Sequence, residues 1–95
     1  MNIYSLKCKS LKCYQRPFPA TDDGNAMVGI RETLRLADPE DVKCLDIKDL
    51  ELFCLSCFDS KNGITKARPK KVIDLVDIPG LVDVVQEVLS HVQSN

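Results

Sequence analysis

No stretch of the sequence approaches the roughly 18 consecutive apolar residues of a membrane-crossing helix. Its start, Met1-Asn2-Ile3-Tyr4, is not a basic leader followed by an apolar run. Neither membrane insertion nor secretion is expected. Histidine is nearly absent: His91 is the only one, and it falls near the end of the last predicted helix, a poor platform for a Cys-His catalytic pair. Gly24, Gly29, Gly63 and Gly80 form no phosphate-binding fingerprint, and no Ser-His-Asp signature or nucleotide-binding loop occurs. The chain is therefore not expected to be an enzyme or to carry a cofactor. Repeats, low-complexity tracts and a second domain are also missing. The 95 residues, 44% hydrophobic and 28% charged, read as one small folded domain.

Acidic residues are absent from two stretches. Residues 1–20 carry Lys7, Lys9, Lys12 and Arg16, and residues 60–73 carry Lys61, Lys66, Arg68, Lys70 and Lys71, with no Asp or Glu in either, although the formal net charge is −1. Such segregation can give a nearly neutral protein one positive face that attracts phosphates. The same lysines would also suit solvated turns and edge strands guarded against aggregation.

The β-formers Ile3 to Cys8 read as a strand, and Cys13 to Arg16 return after a short polar stretch. A hairpin with Cys8 opposite Cys13, Lys7 opposite Tyr14 and Ser5 opposite Arg16 puts Tyr4, Leu6, Cys8 and Cys13 on one face. The opposite face receives Ser5, Lys7, Tyr14 and Arg16, with Phe18 either joining it or plugging the core, and Pro17 and Pro19 ending the strand. Thr21, Asp22 or Asp23 caps a helix whose apolar stripe is Met27, Ile30, Leu34 and Ala37, and which stops near Asp38-Pro39. Residues 39–48 read as an acidic connection, and residues 50–58 as a central strand covered on both faces. Asn62-Gly63 suits a type I′ turn, after which Lys66, Arg68 and Lys70 would face Asp59, Cys57 and Leu55. Val72 to Ile78 reads as a further short strand or a linker. Pro79-Gly80 then introduces a helix over residues 79–93 with Leu81, Val85, Val88 and Val92 aligned, free to pack on the sheet or against a second copy in a homodimer.

Five cysteines invite a metal reading that their spacing opposes. Cys54 and Cys57, three apart on a strand, point to opposite faces, and Cys8 and Cys13 meet across a hairpin in a compartment expected to be reducing. No metal site is predicted; the thiols read as inert. Asp38, Glu40 and Asp41, and likewise Asp46, Asp49 and Glu51, read as solvated loop acids. The candidate nucleic-acid contacts are Lys7, Lys9, Lys12 and Arg16 on phosphates with Tyr14 stacking on a base, and Lys66, Arg68, Lys70 and Lys71 as a second strip.

The order of these blocks resembles the small nonstructural protein of gokushoviruses and related microviruses, phages with single-stranded DNA genomes. The resemblance is carried by Ile3-Tyr4-Ser5, by Pro17-Phe18 followed by Thr21-Asp22-Asp23-Gly24-Asn25-Ala26-Met27, and by Leu52-Phe53-Cys54-Leu55-Ser56-Cys57-Phe58-Asp59 with Gly63 shortly after. Ser56 stands where the family usually has Gly, and residues 79–93 lie outside the match. The resemblance implies DNA binding in the bacterial host cytoplasm, in the switch from duplex replication to production and packaging of single-stranded genomes. It assigns no binding residues.

The sequence thus predicts an α+β domain of order β-β-α-β-β-α, an antiparallel sheet of two hairpins with about two helices, residues 1–78 forming the sheet and first helix. Its expected role is non-catalytic, largely sequence-independent binding of single-stranded DNA. The alternative is an adaptor that engages a host or phage replication or packaging protein through the acidic connection or the last helix. Near-zero net charge favours that alternative unless folding brings the two basic stretches together.

Overall fold

A computed structural model describes the backbone of residues 1–59, 64–66 and 69–93 and the side chains of residues 1–56 and 69–90. The chain runs β1 (Asn2–Cys8), β2 (Cys13–Tyr14), β3 (Phe18–Ala20), α1 (Asp23–Leu36), α2 (Pro39–Lys43), β4 (Leu50–Asp59), β5 (Ile64–Lys66), β6 (Lys70–Asp74) and α3 (Leu81–Gln93), with 3₁₀ turns at Ile47–Asp49 and Leu75–Asp77. The class is α+β, with an antiparallel sheet, as predicted.

The long apolar run becomes β4, the centre of the sheet. Along one side it pairs with β1, matching Tyr4 with Cys54, Leu6 with Leu52 and Cys8 with Leu50. Its other side is shared by β6 and β5, while β2 and β3 share the outer side of β1. Side chains alternate across a strand, so Tyr4, Leu50, Leu52 and Cys54 fall on one face, where all four are buried. Ala26, Ile30 and Leu34 of α1, Val42 of α2, and Leu81, Val84, Val85 and Val88 of α3 complete the same core. The helices therefore lie on one side of the sheet. No helix among the described residues is long and apolar enough to cross a membrane.

Local chemistry explains the helix limits. The Asp22 carboxylate accepts from the Asn25 N–H at 2.8 Å, capping α1, and the helix gives way at Ala37 before Asp38-Pro39. The stripe of α3 packs on α1 and α2 of its own chain rather than standing free for a second copy. Residues 39–48 are not a bare connection. Asp38 caps α2 by accepting from the Glu40 N–H at 2.9 Å, Pro39 starts it with the right φ, and Val42 enters the core. Five residues are too few to display a helical period, and only these start signals announce the element.

Two further expectations change. The central strand is covered by helices on one face only; Glu51, Phe53 and Leu55 on the other are half-buried. The β4–β5 register places Lys66 opposite Cys57 and Ile64 opposite Asp59, two residues away from the pairing that an Asn62-Gly63 turn dictates. Asn62 and Gly63 themselves lie outside the described residues. The region 70–77 resolves into a strand, which pairs with β4, and a turn, so the sheet holds strands beyond the two predicted hairpins.

Tyr4 ties the sheet to the helices. Its buried hydroxyl donates to Asp23 Oδ1 at 2.6 Å and accepts from Asn2 Nδ2 at 3.1 Å. Burial, with the Asp23 carboxylate reinforcing it, pushes the phenol up to about 12. The unfolded phenol then releases its proton at lower pH than the folded one, so this group withdraws stability as pH rises from about 10 to about 12. Urea unfolding followed from about pH 9 to 12 should show that loss in the native chain and a smaller one in Tyr4→Phe.

Candidate nucleic-acid interface

The open face of the sheet is built by β1, β2 and β4. Lys7 of β1 is paired with Tyr14 of β2 on one side and Glu51 of β4 on the other, and Ser5 is opposite Phe53. The predicted partners Cys8–Cys13 and Lys7–Tyr14 are therefore both present. The Lys7 ammonium lies 5.5 Å from the centre of the Tyr14 ring and 5.1 Å from that of Phe53, within reach of a cation–π attraction to each. The two rings meet edge to face, 5.6 Å apart at 85°. Tyr14 keeps 40% of its surface exposed.

Phe53 escaped the sequence reading because it lies within an apolar run taken to be covered on both faces. A signal was present: Glu51 precedes it by two, and a charge at that spacing marks the face of the strand that meets water.

The hairpin loop that carries Lys9 and Lys12 is held by Asp49. Its carboxylate accepts from the Ser10 N–H at 3.0 Å, the Ser10 hydroxyl at 2.6 Å and the Cys8 thiol at 2.7 Å, and its carbonyl accepts from the Lys9 N–H at 2.8 Å. The thiol, followed by the Ser10 hydroxyl, keeps this carboxyl below its usual range. Asp49 is thus an anchor for the loop, not the solvated acid its surroundings suggested. Lys12 closes the loop, its N–H donating to Cys8 O at 2.8 Å, with φ of 53°. Its side chain is exposed.

The two basic stretches do converge, but on acids. Lys9 Nζ and Lys71 Nζ each lie 3.0 Å from Asp74 Oδ1, and Lys71 Nζ is also 2.9 Å from Glu51 Oε2. Glu51 and Asp74 hold the Lys71 ammonium above its usual range, and Lys71, then Lys9, hold the Asp74 carboxyl below its own. Lys71 stands opposite Phe53 and joins the open face, whereas Lys70 stands opposite Cys54 instead of Leu55 and is exposed. The predicted pairing of Lys70 fails because β6 is a separate strand with its own register. Arg68 and the side chain of Lys66 lie outside what the structure describes.

Arg16 leaves the face altogether. Gln15 N–H still bonds Leu6 O at 2.8 Å, and the buried Ser5 hydroxyl donates to Gln15 O at 2.6 Å, but pairing resumes with Phe18 opposite Tyr4. One extra residue is thereby inserted between Tyr14 and Phe18. Because side chains alternate, this bulge carries Phe18 to the face of Tyr4, where the rings stack with centres 6.0 Å apart. Arg16 lines a cleft beside Leu6 and Ile30, on the helix side of the sheet.

The described residues contain no group of three or more His, Cys, Asp or Glu placed to hold a metal ion, and Cys8, Cys13, Cys44 and Cys54 are free thiols. No family model, curated protein or solved structure matches the chain.

Proposed function

We propose that the open sheet face binds single-stranded DNA without strong sequence preference, as a non-catalytic protein serving replication or packaging of a single-stranded phage genome. The observation that carries the reading is the cluster of Tyr14, Phe53 and Lys7 on a face that no helix among the described residues covers. Base stacking on aromatic rings is worth about 1–3 kcal/mol per base and accepts any sequence, while nearby cations follow the backbone. The phage role rests on the resemblance of the sequence blocks given above.

Ion pairing sets the expected salt response. Lys9 and Lys71 are already neutralised by Asp74 and Glu51, whereas Lys7, Lys12 and Lys70 have no ion pair among the described residues. Three free cations give a slope of log affinity against log salt of about −2 for a single strand, against about −6 if all eight predicted cations made phosphate contacts. Fluorescence anisotropy of labelled single-stranded and duplex DNA across a salt series tests this. Asp74→Asn should tighten binding at low salt and steepen the slope by about one, since it releases Lys9. No binding at low salt would transfer the face to the second reading, an adaptor surface. The interleaving of Glu51 and Asp74 with the lysines favours that reading; the buried stripe of α3 excludes that stripe as its docking site.

A further inference from the structure

On the helix side, the edge of the sheet and α1 enclose a cleft of about 430 Å³, within the range of small-molecule sites. Its wall is apolar, formed by Leu6, Phe18, Ile30, Leu34, Leu50 and Leu75 among others, and Arg16 is the only charged residue lining it among the described residues. We propose that this cleft binds a small amphipathic anion, an aliphatic chain ending in a carboxylate, with the chain along the leucines and the head on Arg16.

Three observations carry the assignment. First, the Arg16 guanidinium makes no ion pair or hydrogen bond among the described residues, although Arg31 donates to Pro79 O at 2.9 Å and Arg35 approaches Glu32 at 3.5 Å. A planar guanidinium beside apolar surface matches a carboxylate with two parallel hydrogen bonds. Second, the remaining polar contribution selects no competing head group. The Thr33 hydroxyl donates to Gly29 O at 2.7 Å, which leaves Gln15 as the polar side chain beside Arg16. Third, α1 places a glycine, Gly29, in the cleft wall. A Cβ built on Gly29 meets nothing within 4 Å, so close packing does not require a glycine at this exposed lining position. Glycine in a helix interior otherwise costs stability relative to alanine. Water against such a wall has few polar partners, and an aliphatic chain that displaces it gains affinity.

This site lies on the opposite side of the sheet from the face proposed to bind DNA, and its test does not depend on that reading. The test is isothermal titration calorimetry of the full chain with decanoate, decanol and decyltrimethylammonium, each below its micellar concentration. Decanoate should bind with one site per chain, at least tenfold more tightly than either other probe, in keeping with a charge-assisted hydrogen bond. Arg16→Gln should bring decanoate down to the level of decanol and leave decanol unchanged. Gly29→Leu should abolish binding of both while its circular dichroism spectrum stays that of the native chain; Gly29→Ala, which fills less space, reports separately on folding and should melt no lower than the native chain. Absence of decanoate binding, equal affinity for decanoate and decyltrimethylammonium, or unchanged binding by a folded Gly29→Leu variant would overturn the proposal.

Discussion

Replacing Tyr14 and Phe53 together with leucine should weaken binding of single-stranded DNA by about 2 kcal/mol or more, roughly thirtyfold, with little change in the salt slope. Leucine preserves apolar bulk but has no ring face for a base, and the substitution removes no cation. The two rings are in edge contact, and Lys7 lies over both, so the single substitutions should not simply add. Anisotropy titrations of the two single variants and the double variant measure the coupling. A loss seen mainly as a shallower salt slope would mean that the rings act by positioning Lys7 rather than by stacking. Because Tyr14 is exposed, Tyr14→Leu should leave the unfolding midpoint nearly unchanged, which separates binding from folding.

The largest effect on stability is expected at Leu52. It is fully buried on β4, paired with Leu6 on one side and Ile73 on the other, beneath the helices. Leu52→Ala removes about three methylene-sized groups from a site whose neighbours belong to rigid strands and so collapse poorly onto the cavity. A cost of about 2–5 kcal/mol follows. Small domains have total stabilities near the low end of about 5–15 kcal/mol, so this one change should populate the unfolded state measurably. Urea unfolding monitored by circular dichroism gives the number, and a loss below about 1 kcal/mol would contradict the packing described for β4.

Both predictions concern β4, and its two faces were unequally legible. The run Leu50 to Phe58 announces a central strand by length and β-formers alone. Whether its second face is covered depends on where the helices pack, and the one local signal, Glu51 on the same face as Phe53 and Leu55, is outweighed by the apolar run around it. Helix α1 was legible down to its cap and its stop, because capping by Asp22 and blockage by Pro39 are contacts between residues a few positions apart. Helix α3 was legible through Pro79-Gly80 and the spacing of Leu81, Val85 and Val88, yet its partner was not.

The candidate site divides in the same way. Lys7 and Tyr14 were placed together from the sequence because the hairpin that joins them is local and its register follows from the loop. Arg16, two residues beyond, was misplaced by a one-residue bulge. The partners that stabilise this bulge, Ser5 with Gln15 and Tyr4 with Phe18, become adjacent only after pairing. Phe53, Glu51 and Asp74 come from strands distant in sequence, and their meeting with Lys7, Lys9 and Lys71 depends on three separate registers.

By itself, then, the sequence determined the α+β class, the main helices, the first hairpin and the segregation of its basic residues, all consequences of short-range sterics, hydrogen bonding and periodicity. Only the tertiary structure decided which lysines are neutralised, that Phe53 joins Tyr14, and that Arg16 stands beside an apolar cleft. Those outcomes depend on long-range pairing, where a slip of one residue transfers a side chain to the other face of the sheet.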